Sequence, residues 1–186
     1  MGTRYLTVVI DEDGKRISQY GHYDGDPSSN GVEILYTLLA DKNKTLKERM
    51  KRCEIITEEE YSRFVKNHSL DDEELEKAHP NFWWGDGVEL LRVLLETERK
   101  PLLRDYYEFA YKSLLCEWGY VIDYCSNTFE VYKGFVKEPL DTTERFYNNG
   151  YKDGGFYPIR LKKRYDLDSL PSPEQFIKDC VANERS

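Results

Sequence analysis

Nowhere in its 186 residues does this chain carry the ~18 consecutive apolar side chains that a membrane-spanning helix requires. It also lacks an excess of positive charge. Lys and Arg number 27 against 35 Asp and Glu, a net charge of −8. Such a surface repels nucleic-acid phosphates, so direct DNA binding is not expected. The start, MGTRYLTVVIDEDGKR, has no basic stretch leading into an apolar segment and a small-residue cleavage site. A bacterial cytoplasmic location is expected. The four cysteines, Cys53, Cys116, Cys125 and Cys180, form no C-x-x-C pair, and no histidine lies within four residues of any of them. That spacing excludes the usual zinc sites and, in a reducing compartment, predicts free thiols that are mostly buried as small hydrophobes. Phosphate-binding G-x-x-x-x-G-K-[ST], nucleophile-elbow G-x-S-x-G, H-E-x-x-H and EF-hand patterns are all absent. No metal or cofactor is expected.

What is present is a globular composition, 39% hydrophobic and 14% aromatic, in a length suited to one domain spanning 1–186. Residues 5–10, YLTVVI, and 15–23, KRISQYGHY, flank Asp13-Gly14 and predict a hairpin. Capping-box pairs then open a series of helices: Asn30 with Glu33, Thr45 with Glu48, Thr57 with Glu60, Ser69 with Asp72, and Asp86 with Glu89. They predict helices over 31–41, 46–52, 58–68, 70–78 and 87–98. The spacing of Leu102, Tyr106, Phe109 and Ala110 extends a further helix after Pro101. A second hairpin is expected over 115–124 and 128–136, then a long surface loop over 137–155. An edge strand follows over 156–167, with Arg160, Lys162, Lys163 and Arg164 guarding it. Ser172-Pro173, with Gln175, opens a last helix. The expected class is α+β: an antiparallel sheet made of the N-terminal hairpin and C-terminal strands, with a helical insert of about 30–113 packed on it.

Four groups of residues are candidates for function. Glu54, Glu58, Glu59, Glu60, Asp71, Asp72, Glu73, Glu74 and Glu76 face only Arg63 and Lys66 within one stretch. Acids in a first helical turn complement the macrodipole, and the same acids can offer a partner-binding surface spaced like nucleic-acid phosphates. The turn His22-Tyr23-Asp24-Gly25-Asp26 places an imidazole near two carboxylates, as an acid–base or metal pocket would, although Asp beside Gly and Pro is also ordinary turn chemistry. That reading makes His22 a partly buried, aromatic-like side chain. Trp83 and Trp84 cannot both face inward easily. One is expected in the core and the other in a groove, and the nearby sequence offers only Lys77 and Arg92 as cations. Glu117 and Asp123 share a strand face and suit either acid–base work or pairing with Arg and Lys neighbours.

Gly2-Thr3-Arg4-Tyr5-Leu6-Thr7, followed by Gln19-Tyr20-Gly21-His22-Tyr23-Asp24-Gly25-Asp26-Pro27 and Gly31, resembles a family of small phage and prophage proteins. That family's pattern runs T-R-x-L-T, then Q-Y-G-x-x-D-G-x-P and a Gly opening the first helix. Glu117-Trp118-Gly119-Tyr120-Val121-Ile122-Asp123 and Phe129-Glu130-Val131-Tyr132-Lys133-Gly134 are similar to its second hairpin. The chain departs at Asp26, where the family more usually has Tyr. The resemblance implies kinship with a type II-A anti-CRISPR protein, an inhibitor of an RNA-guided Cas nuclease. It implies a partner that is an effector nuclease, alone or with guide RNA, and is compatible with a homodimer. A second reading is an amidohydrolase, N-terminal-nucleophile-like in its hairpin-first layout, using His22, Asp24, Glu117 or Asp123. Gly2 leaves it without the expected nucleophile. A third is a protein that sequesters a nucleotide signal by stacking on Trp83 or Trp84.

Overall fold

A computed structural model describes residues 2–67, 77 and 80–181. β1 (Tyr5–Ile10) and β2 (Arg16–Gly21) form the N-terminal hairpin. Gly14 takes φ +81° in its turn, and the buried Asp11 carboxylate accepts from the amides of Asp13 and Lys15. β5 (Trp118–Asp123), β6 (Thr128–Lys133) and β7 (Arg160–Asp166) complete a five-stranded sheet of order β2-β1-β5-β6-β7. The fold is the expected α+β, with the two hairpins joined through a parallel β1–β5 pair, Val8 opposite Val121. The other neighbours are antiparallel, and β7 is the expected edge.

Strand alternation sends Tyr5 and Val9 to one face, Leu6 and Val8 to the other. The first face packs on α1 (Val32–Ala40), α4 (Gly87–Glu96) and α5 (Pro173–Val181), whose Ile34, Leu35, Leu90, Leu91, Leu94 and Phe176 are buried. The second face is covered by non-helical chain. The 137–155 segment is more than a surface loop, because Leu140 and Phe146 from it are buried beneath the sheet with Val121 and Tyr132. All four cysteines are free, and three are buried, as expected.

The insert differs from expectation in several places. α2 (Leu46–Arg49) passes into a 3-10 turn over Met50–Arg52, and β3 (Glu54–Ile56) follows. β3 pairs in parallel with β4 (Leu102–Arg104). The helix expected after Pro101 is therefore absent: β4 gives way to a 3-10 turn at Tyr107–Tyr111. The Asp105 carboxylate binds the Ser18 hydroxyl, Arg16 and the Tyr107 amide, fastening this segment to β2 in place of helical hydrogen bonds. α3 (Glu58–Asn67) begins with the predicted capping box. At α2, Asp41 supersedes the Thr45–Glu48 pair, because its carboxylate takes the amides of Thr45 and Leu46 and the Thr45 hydroxyl. Asn30 does not cap α1. Its amide donates to the Tyr23 carbonyl, while a π turn over Pro27–Gly31, capped by Asp26, leads into the helix. The Ser69–Asp72 box and the 70–78 helix lie outside the described residues.

Candidate functional site

The described acids of the acidic segment all lie at the surface. Glu54 is exposed on β3 and Glu58, Glu59 and Glu60 on the first turn of α3. Their local chemistry is accounted for. Glu60 accepts from the Thr57 amide at 2.9 Å and hydroxyl at 2.7 Å, which lowers its pKa, and its own amide donates to the Thr57 hydroxyl. Glu59 meets Arg63 at 3.0 Å one turn on, and Glu58 meets Arg104 at 3.0 Å. Asp71, Asp72, Glu73, Glu74 and Glu76 lie outside the described residues. A second acidic surface was not apparent from sequence. α1 and α4 flank a groove of about 660 Å³ lined by Glu33, Asp41, Asp86, Glu89 and Glu96 against a single cation, Arg92. Two stretches more than forty residues apart in sequence make it, so no local pattern could announce it.

The turn after β2 is built as turn chemistry. Asp26 accepts from the Ser28 amide at 3.0 Å and hydroxyl at 2.5 Å. Asp24 adopts φ +53°, and its carbonyl accepts from the Asn30 amide. His22 is exposed and not partly buried as expected. Its Nδ1 meets the Tyr20 hydroxyl at 2.5 Å, and its ring contacts Tyr23 edge-on. Among the described residues no group of three or more His, Cys, Asp or Glu side chains is arranged to hold a metal ion.

Glu117 and Asp123 are not brought together. They stand at opposite ends of β5, roughly 20 Å apart at the ordinary rise of a strand. Glu117 accepts from the Arg4 amide. Asp123 accepts from the amides of Cys125 and Ser126 and pairs with Arg145 at 2.6 Å. His22 follows Gly21, whose partner Tyr5 pairs with Trp118, so it belongs to the Glu117 end of the sheet. Asp123 is therefore not brought together with His22 and Glu117.

Asp123 belongs instead to a buried ionic network that the sequence did not advertise. Glu130 is 1% exposed. It pairs with Arg145 at 2.9 Å and Arg164 at 2.9 Å, and accepts from the Tyr132 hydroxyl at 2.6 Å. Burial works against its ionisation, but hydrogen bonds from Arg145 and Tyr132 outweigh it and hold the pKa below the usual carboxylate range. The same competition, won by the Ser126 amide and Arg145, lowers Asp123. Arg145 comes from the segment read as a surface loop, which is why the cluster was not foreseen.

The tryptophans divide as expected. Trp83 is buried, with its indole N–H donating to the Asp86 carbonyl, and Trp84 is exposed beside Phe82. Cations approach from outside the local sequence. Arg99 lies over Trp83 and Arg104 over Tyr61 and Tyr106. Trp83 and Trp84 line a small cavity with Gln19, Tyr20, Tyr61 and Tyr106.

Comparison of the chain with models of known protein families, with curated proteins and with solved structures finds no match. No helix among the described residues is long and apolar enough to cross a membrane.

Proposed function

We propose that this chain works by binding rather than by catalysis: an anti-defence protein of phage origin that docks on a CRISPR effector nuclease in the host cytoplasm and blocks DNA engagement. The observation that supports it is the outward display of negative charge. The described carboxylates of the acidic segment, Glu54, Glu58, Glu59 and Glu60, are exposed, and the α1–α4 groove adds more. An effector of this class holds nucleic acid in a positively charged channel, so an acidic surface is steered toward it and competes with phosphates. The helix-start chemistry of Glu58 to Glu60 does not oppose the reading, because a capping carboxylate still carries its charge to the surface. The amidohydrolase reading loses the carboxylate pair it needs, because Asp123 stands at the far end of β5 from Glu117 and His22. The test is a pull-down of purified type II effector, with and without guide RNA, at low and high salt. Capture that weakens steeply as salt rises is expected. Absence of capture in every condition refutes the proposal.

A further inference from the structure

The small aromatic cavity beside β2 has a feature that neither the acidic surfaces nor the sheet explains. Gln19 is 3% exposed and lines it. Its Nε2 donates to two carbonyls, Ser18 O at 2.6 Å and Arg104 O at 2.8 Å. Both partners can only accept, so the orientation of the amide is fixed and both of its hydrogens are used. The Oε1 atom consequently points away from them and accepts no hydrogen bond from any described residue. Gln19 Oε1 is not a buried orphan: it stays accessible, and Gln19 lines a cavity where a ligand donor can reach that acceptor. Around it stand Tyr20, Tyr61, Phe82, Trp83, Trp84 and Tyr106, with Gly85 at the rim. Residues from β2, α3, the 82–85 segment and the chain after β4 thus line one small cavity that includes a residue with a fixed acceptor. Flat rings with a single oriented polar group are how proteins hold a planar heterocycle.

We infer that this cavity binds an amino-bearing, single-ring heterocycle of the cytosine kind, its exocyclic amino group donating to Gln19 Oε1. Size and polarity both select it. The cavity measures about 100 Å³. A cavity of about 150 Å³ holds one benzene ring, so a space of this size admits at most a single six-membered ring. Gln19 offers acceptance only. The cytosine amino group is a donor, whereas uracil presents a carbonyl oxygen at that position, which would face Oε1 oxygen to oxygen. This inference does not depend on the acidic surface or its partner.

The test is a titration of ¹⁵N-labelled full-length protein with cytidine to millimolar concentration, reading the Gln19 side-chain amide and the Trp84 indole signals. Saturable shifts of both are expected. Uridine and N4,N4-dimethylcytidine, which lack the donor, should bind at least about tenfold more weakly, the worth of one hydrogen bond. This comparison uses the unaltered protein, so no folding defect can imitate it. Trp84→Ala should weaken cytidine binding while keeping the melting transition. Cytidine monophosphate and oligo(dC) distinguish the source. Binding of the monophosphate as tight as that of the oligomer assigns a free nucleotide, and tighter binding of the oligomer assigns a single strand. No shift with cytidine, or equal affinity for dimethylcytidine, overturns the inference.

Discussion

Glu130 shows how much a single residue can carry. Arg145, Arg164 and the hydroxyls of Tyr132 and Thr128 meet its carboxylate, and Glu130→Ala leaves Arg145 with Asp123 and the Tyr132 hydroxyl and removes the acceptor of that hydroxyl. Breaking a buried pair from one side costs about 3–5 kcal/mol, so the variant should unfold at much lower denaturant concentration. The network also sets an acid limit. Glu130 and Asp123 ionise more readily folded than unfolded. Their contribution is therefore complete above the unfolded carboxylate values of about 4, and it is lost as pH falls through the lower folded values. Denaturant melts of wild type between neutral pH and strong acid should show stability falling in that window, and the Glu130→Ala variant should show a shallower fall. Asp24 is the contrasting case. Its left-handed backbone suits Asn as well as Asp, and among the described residues none donates a hydrogen bond to its side chain. Asp24→Asn should melt like wild type and keep full function. A folded Asp24→Asn protein without function would restore a charge-dependent role to the turn.

Among the elements, legibility followed locality. The β1–β2 hairpin was plain from Asp13-Gly14 between alternating strands, and α3, α4 and α5 from caps that proved real at Thr57, Asp86 and Ser172. Failures came where a distant partner outbid a local pattern. Leu102, Tyr106, Phe109 and Ala110 have helical spacing, but β3 claims 102–104 and Asp105 is held by β2. Three-residue strands leave no periodic trace, so β3 and β4 could not be read. The candidate site was less legible still, since the Glu130–Arg145 pair, the α1–α4 groove and the Gln19 cavity all join residues far apart in sequence. The caps give a direct comparison. Thr57→Ala removes the acceptor of the Glu60 amide and should cost about 1 kcal/mol. Thr45→Ala should cost less, because Asp41 keeps the amides of residues 45 and 46. Equal losses in chemical-denaturation melts would contradict this assignment of caps.

The whole molecule is a sheet covered on both faces, with helices on one side and irregular chain on the other, and its stability is pooled in those two cores. Val121 lies fully buried on the non-helical side, opposite Val8 across the parallel pair. An unpaired carboxylate there costs several kcal/mol against a total of ~5–15, so Val121→Asp should abolish the cooperative melt. A near-normal transition would mean that the second core is not built as described. The exposed carboxylates behave differently, because Glu54, Glu58, Glu59 and Glu60 stand outside both cores and can be altered without opening either. The proposed function rests on that separation. The decisive measurement is inhibition of guided DNA cleavage by a type II effector, comparing wild type with a variant carrying Glu59→Gln, Glu60→Gln, Glu73→Gln and Glu76→Gln. Gln at position 60 keeps an acceptor for Thr57, so the helix start survives. The account predicts that the variant melts nearly as wild type does yet associates far more slowly and inhibits poorly, since steering depends on summed charge. Full inhibition by that variant at an unchanged association rate would contradict it.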